Sequence, residues 1–306
     1  MLSSPAQCHF VPDLEWSRRA MATPLGPTHG GLAVDRSGQI YCSTDGTRSV
    51  IVFTSEGEVV REFAPELAGI HALTLVEENG EEFLVCAHLL QHRVIKLTRE
   101  GRMLWSLGAP MESGLYRGVE DFKPTAAVVA PDGSLFVADG YGTSVIHQFD
   151  ARRCYVKSFG GAEAGLGRLH NCHGLALDQR EPQPCLLVCD RRNRRLVHYD
   201  LNGNFLRVLA EGLRRPCSVA FAGEFFAVAE LEGRVTLLNR AHQTVMVLGD
   251  NLDQTARAAY DLPPAQWRDG IFNAPHGICS DAAENLFVLE WNSTGRLTKL
   301  AKISSF

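Results

Sequence analysis

No stretch of this sequence stays apolar for the roughly 18 residues that a membrane-spanning helix needs, and no long run carries charge of one sign. The first absence gives no basis for a helical membrane anchor. The second, with a net charge of −5, argues against nucleic acid as the main ligand. The densest basic stretch, Arg191–Arg195, lies inside a repeat and reads most simply as a loop. The opening residues MLSSPAQCHFVPDLEW show no basic segment leading into an apolar one. No secretory signal is read there, and a cytoplasmic location is expected.

Cysteine is present without organisation. The nine are Cys8, Cys42, Cys86, Cys154, Cys172, Cys185, Cys189, Cys217 and Cys279, an odd and scattered set. Cys185 and Cys189 stand four apart with no matching second pair, so a zinc knuckle is not indicated. Several sit in apolar strand patterns, such as Cys86 in EEFLVCA, as small buried hydrophobes do. Helical periodicity is also missing. The 45% hydrophobic residues suffice for a large core, but they fall in short β-prone runs punctuated by Gly, Asp and Asn.

Those runs repeat. GGLAVDRSGQIYCSTDGTRSVIVFTSEGEVVREF from Gly30 matches the pattern of PTAAVVAPDGSLFVADGYGTSVIHQFD from Pro124 and of CHGLALDQREPQPCLLVCDRRNRRLVHYD from Cys172. Further copies begin at Ile70, Pro216 and Pro275. Six copies of four strands predict an all-β, six-bladed β-propeller, because one blade cannot bury both its faces and neighbours must stack around an axis. The chain is read as a single propeller over 1–306, with blades near 28–68, 70–110, 122–161, 170–212, 215–251 and 272–303. The last copy has only three strands, so 10–16 is expected to supply its outer strand and close the ring. An Arg recurs in the loops after the second strands (Arg93, Arg195, Arg234, Arg296), and an acid ends those strands in four blades (Asp139, Asp190, Glu230, Glu290). Ion pairs within each blade are expected from the two series.

The residues that open the innermost strands are Gly30, His71, Thr125, His173, Cys217 and His276. Histidine therefore occupies alternate blades, spaced 173 − 71 = 102 and 276 − 173 = 103 residues. Two of six blades is about 120° of rotation, so three imidazoles should converge on the axis. Three histidines with a fourth side open is the ligand set of a catalytic zinc site; iron, manganese and cobalt fit the same donors.

The run FKPTAAVVAPDGSLFVADGYGTSVIHQFD from Phe122, with HGLALD from His173, CDRRNRRLVHYD from Cys189 and FNAPHGI from Phe272, resembles the peptidyl-α-hydroxyglycine α-amidating lyases and their bacterial relatives built of NHL repeats. The resemblance covers about 10–303. It implies zinc on His71, His173 and His276, a metal-proximal tyrosine at Tyr141 and a substrate-binding arginine at Arg191. Both of these follow second strands, on the rim that carries the histidines. A tyrosine beside a dication can act as a general base, and an arginine can hold a carboxylate bidentately.

The sequence departs from that family at Ser43-Thr44-Asp45, where a second arginine is expected; Arg48 is near but out of register. Ala274 replaces the family's methionine, and Gly277 stands where an acid serves structural calcium. The expectation is a metal-dependent lyase for a small hydroxylated or carbonyl-bearing substrate, with weak action on peptidyl-hydroxyglycines. A metal-activated-water hydrolase and a non-catalytic interaction propeller are the competing readings. Calcium-type lactonase chemistry is disfavoured, since the strand-start ring has no Glu, Asn or Asp. Three rim connections, 109–121, 160–169 and 251–271, are long enough to be functional.

Overall fold

Six four-stranded antiparallel sheets follow one another along the chain, each a blade of a β-propeller. The computed structural model describes residues 8–161 and 165–304. The innermost strands are Leu32–Val34, Ile70–Glu78, Ala126–Val129, Cys172–Asp178, Pro216–Ala222 and Pro275–Ser280. Each touches its two neighbours, and the last touches the first, so the ring is closed. Second and third strands such as Ile40–Ser43 and Val50–Phe53 are buried along their whole length. The fourth strands, such as Val59–Phe63, are largely exposed, as the outer edge of a blade must be. Among the described residues no helix is long and apolar enough to cross a membrane.

Closure comes from the N-terminus. Cys8–Asp13 pairs antiparallel with Arg296–Ser304 as the outer strand of the sixth blade. Phe10 buries its ring among Phe272, Ile278, Leu286, Val288 and Leu300. The strand stops three residues earlier than the sequence suggests. Asp13 caps a helix over Leu14–Ala20, its Oδ1 accepting from the Trp16 N–H at 3.0 Å. Trp16 is therefore helical. Its ring lies 5.1 Å from Phe287 and 6.5 Å from Phe53, and its Nε1 donates to Ser55 O at 2.8 Å. The helix thus joins the sixth blade to the first.

The acids that end second strands form a repeated clamp. Asp139 accepts from Lys123 N, Asp190 from His170 N, Glu230 from Arg214 N and Glu290 from Ala274 N. Each donor belongs to the linker that leads into the innermost strand, so the carboxylate fixes where that strand begins. The expected ion pairs form in three blades: Arg195–Asp190 at 2.7 Å, Arg234–Glu230 at 2.9 Å and Arg296–Glu290 at 3.1 Å. In the third blade Tyr116 and Thr143 hold Asp139 instead. The second blade has His88 at the acid position, its buried imidazole without a hydrogen-bond partner among the described residues, and Arg93 turns to Gln91 and Ser106. Burial pulls the His88 imidazole down to about 4, so it stays neutral at physiological pH.

The closing strand is a hinge-pin of stability. Phe10→Ala removes a buried ring and should cost about 3 kcal/mol or more. A urea midpoint within error of wild type would show that the ring closes without it.

Candidate functional site

Each histidine sits where its strand breaks register with its partner. In the second blade Ile70 pairs with His88 and Ala72 with Ala87, leaving His71 as the extra residue. His276 is left over in the same way between Pro275 and Gly277, and Cys217 between Pro216 and Ser218. In the fourth blade the extra residue falls between Cys172 and Leu175, at His173-Gly174. A bulge bends the strand and re-aims the side chain it carries. Here it turns the imidazoles to the axis, with ring centroids 4.8 Å (His71–His173), 5.0 Å (His71–His276) and 4.5 Å (His173–His276) apart.

Such close approach needs glycine beside it. A Cβ on Gly30 would lie 2.2 Å from His276 Nδ1, and one on Gly277 would lie 2.2 Å from Gly30 O. The first blade thus carries no ligand at Gly30 because the sixth blade's histidine fills that space.

Backbone carbonyls orient two of the rings. His71 Nδ1 lies 2.7 Å from Thr125 O, and His173 Nδ1 lies 2.9 Å from Cys217 O. A carbonyl can only accept, so both Nδ1 atoms carry hydrogen and each Nε2 keeps its lone pair. The Nε2 atoms of His71 and His276 are buried with no hydrogen-bond partner among the described residues. Burial is the main force pulling all three imidazoles well below their ordinary range, and Arg191 and the neighbouring histidines add to it. Neutral rings with oriented, unused lone pairs suit a metal ion, and such Nδ1 anchors are the usual support of metal-binding histidines.

The ligand atoms that lie within 4.8 Å of one another form two sets that share His276. One is His173, Cys217 and His276; the other is His29, His71 and His276. The three histidines read from the sequence are thus in ring contact but divide between the sets. His29 was not anticipated. It stands one residue before the strand-opening position, so the repeat register passes over it.

Tyr141 and Arg191 meet the histidines as one chain of contacts. Tyr141 Oη lies 3.0 Å from His173 Nε2, and Arg191 Nη1 donates to Tyr141 Oη at 3.2 Å. The guanidinium also lies over the Tyr141 ring, 5.1 Å from its centre. Asn171 ties the two loops together, donating to Gly140 O and accepting through its carbonyl from Arg191 N. Burial pushes the Tyr141 phenol up, while Arg191 pulls it back. Arg191 itself is buried, and its Nε has no partner among the described residues, so the guanidinium retains a donor for a ligand. The Arg215 side chain, without a hydrogen bond or ion pair among the described residues, also pulls the Tyr141 phenol down. No motif marks it beyond its place two residues before Cys217.

The first blade presents the opposite charge. Ser43 is buried and donates to Ile70 O at 2.7 Å, so no cation occupies the position where the resemblance calls for one. Arg48 is spent on Glu62 and Pro24 O. Asp45 instead lies 3.2 Å from His29 Nδ1. Of the long connections, 251–271 reaches closest to this side. Its Tyr260 packs on Trp291 with ring centres 4.7 Å apart, and Trp291 lies 6.4 Å from His29. The connection 109–121 tucks Tyr116 into the third blade through Asp139. Within 160–169, residues 162–164 lie outside the described residues.

A channel of about 710 Å³ runs along the axis, lined by innermost-strand residues such as Leu75, Val128, Leu177 and Phe221. The three histidines form one end of it. Tyr141 and Arg191 do not line it, so polar chemistry lies on one side of the imidazoles and an apolar bore on the other.

No family model matches the chain. It is 28% identical over 224 residues to a Caenorhabditis elegans protein named "Probable peptidyl-alpha-hydroxyglycine alpha-amidating lyase pgal-1". That match covers 69% of this chain and 57% of the relative, so the chain spans little more than half the relative's length. Among solved structures it is similar to a streptogramin B lyase (TM-score 0.62, 11% identity, 97% of this chain and 98% of the other). It is also similar to a luciferin-regenerating enzyme (TM-score 0.60, 12% identity, 98% of each chain). At those identities the two structures share the propeller fold with this chain, and the sequence likeness runs to an amidating-lyase relative.

Proposed function

We propose that this propeller is a metal-dependent lyase for a small hydroxylated or carbonyl-bearing substrate that carries an anionic or strongly polar group. The observation that carries the reading is the buried, unused Nε2 pair of His71 and His276, set beside the Tyr141–His173 contact. His71, His173 and His276 would hold the ion, with zinc first and iron, manganese or cobalt as alternatives. A bound divalent ion would supply Lewis acidity to a substrate hydroxyl or carbonyl.

The protein's own residues set up the rest. Tyr141 donates its hydrogen bond to His173 Nε2 here, since that nitrogen is an acceptor. Once that lone pair is otherwise engaged, the phenol must find a partner in the substrate, which places its oxygen for proton transfer. Arg191 holds the phenol through Nη1 and offsets part of the rise that burial imposes on it, which eases loss of that proton. The Nε edge of Arg191, without a partner among the described residues, attracts an anionic group to the fourth-blade side. Asp45 on the first blade repels an anion there. In a carbinolamide-type substrate, the hydroxyl proton leaves to Tyr141, the C–O bond becomes a carbonyl as the C–N bond breaks, and the departing nitrogen takes up a proton, releasing an amide and a carbonyl compound. Likeness to an amidating-lyase relative supports this reaction type over hydrolysis.

Three outcomes are expected. Protein purified without chelator should carry about one transition-metal ion per chain, and His71→Ala/His276→Ala should carry none; metal-free wild type that takes up no zinc, iron, manganese or cobalt defeats the reading. Tyr141→Phe should keep its fold and metal while turnover drops by roughly 10²-fold or more, as for a lost general base. Unchanged turnover would leave Tyr141 a structural residue. Glyoxylate release from a short hydroxyglycine peptide should be slow, because the first-blade cation is missing. A kcat/KM above about 10⁴ M⁻¹s⁻¹, ordinary for a native substrate, would instead make that peptide class the substrate.

A further inference from the structure

We propose that His29 is a fourth histidine ligand of the axial ion, with Asp45 as its anchor. This rests on the metal reading above and adds to it a residue that neither the repeat register nor the resemblance supplies. His29 ring contacts reach both neighbours: its centroid is 4.8 Å from His71 and 5.1 Å from His276. A ligand nitrogen of His29 lies within 4.8 Å of one from each of these two residues. The Nε2 atoms of His71 and His276 are both buried without partners, so this part of the cluster holds two unspent lone pairs.

The anchor is what makes His29 more than a neighbour. Its Nδ1 lies 3.2 Å from Asp45 Oδ2, and an ionised carboxylate can only accept, so the hydrogen belongs on Nδ1 and Nε2 is left as a donor to an ion. His71 and His173 are set up the same way by backbone carbonyls. A carboxylate raises the basicity of the imidazole it holds more than a neutral carbonyl does. Asp45 is itself fixed, its N–H donating to Pro27 O at 2.8 Å. The His29 side chain is 21% exposed, whereas the other three histidines are at most 3% exposed. His29 is therefore the ligand on the solvent side, held by a side chain rather than by the propeller backbone, and the one best able to give way to a substrate atom.

The test is metal affinity and coordination, independent of turnover. Metal-stripped full-length protein is titrated with Zn(II) against a competing chelator, and with Co(II) while its visible absorption is followed. His29→Gln and Asp45→Asn are compared with wild type and with His276→Ala, each checked for an unchanged thermal midpoint. His29→Gln should weaken zinc by 10- to 100-fold or more and alter the cobalt spectrum. Asp45→Asn should weaken zinc by about 10-fold, as when a carboxylate that holds a ligating imidazole is lost. If either variant fails to fold, the other carries the test. Wild-type affinity and an unchanged spectrum in His29→Gln, with metal lost from His276→Ala, would overturn the fourth ligand and leave the metal site standing. Wild type that binds neither ion would overturn both.

Discussion

The hydrogen bond from a linker N–H to a buried carboxylate at the end of the next second strand is the contact on which the site depends. It recurs through Asp139, Asp190, Glu230 and Glu290, and each time it fixes the residue at which an innermost strand turns into the ring. A buried carboxylate left without partners would be costly, so each clamp is over-determined by further donors. Arg195, Arg234 and Arg296 supply them in three blades, and Tyr116 with Thr143 in another. Because the strand starts cannot wander, a one-residue bulge just beyond them has a fixed consequence. It points His173, Cys217 and His276 inward rather than along the blade.

The same rigidity gives the site two unlike sides. On the axis side the innermost strands leave a bore of about 710 Å³, with aliphatic residues such as Leu75, Val128 and Leu177 in its wall and polar ones such as Glu78 and Gln179 among them. On the other, the loops after second strands bring Tyr141 and Arg191 over His173. Charge is divided around the ring as well, with Arg191 and Arg215 on the fourth and fifth blades and Asp45 on the first. The imidazoles are kept neutral mainly by burial, and Arg191 adds to it.

The repeat made much of this legible. Six copies of a four-strand phrase required a closed ring, and the missing strand in the last copy pointed to the N-terminus, where Cys8–Asp13 lies in the structure. The helix that follows was less visible, since LEWSRRA is too short for a clear period and depends on the Asp13 cap. The recurring arginines were read as ion pairs. That holds where an acid ends the second strand and fails at Arg93, where His88 takes the acid's place.

By itself the sequence determined the number of blades, the place of closure and the three positions from which histidines face the axis, because these follow from the period of the repeat. Only the tertiary structure decided which atoms come together there. His29 lies outside the repeat register yet joins His71 and His276, and Arg215 follows no motif yet its charge acts on the Tyr141 phenol. Gly30 opens the first blade without a side chain, and the structure shows that the sixth blade's histidine packs into the space it leaves. Periodicity specifies angular position around an axis; the last few ångströms depend on bulges, close glycine contacts and the partners of each Nδ1, and those are set between blades far apart in the chain.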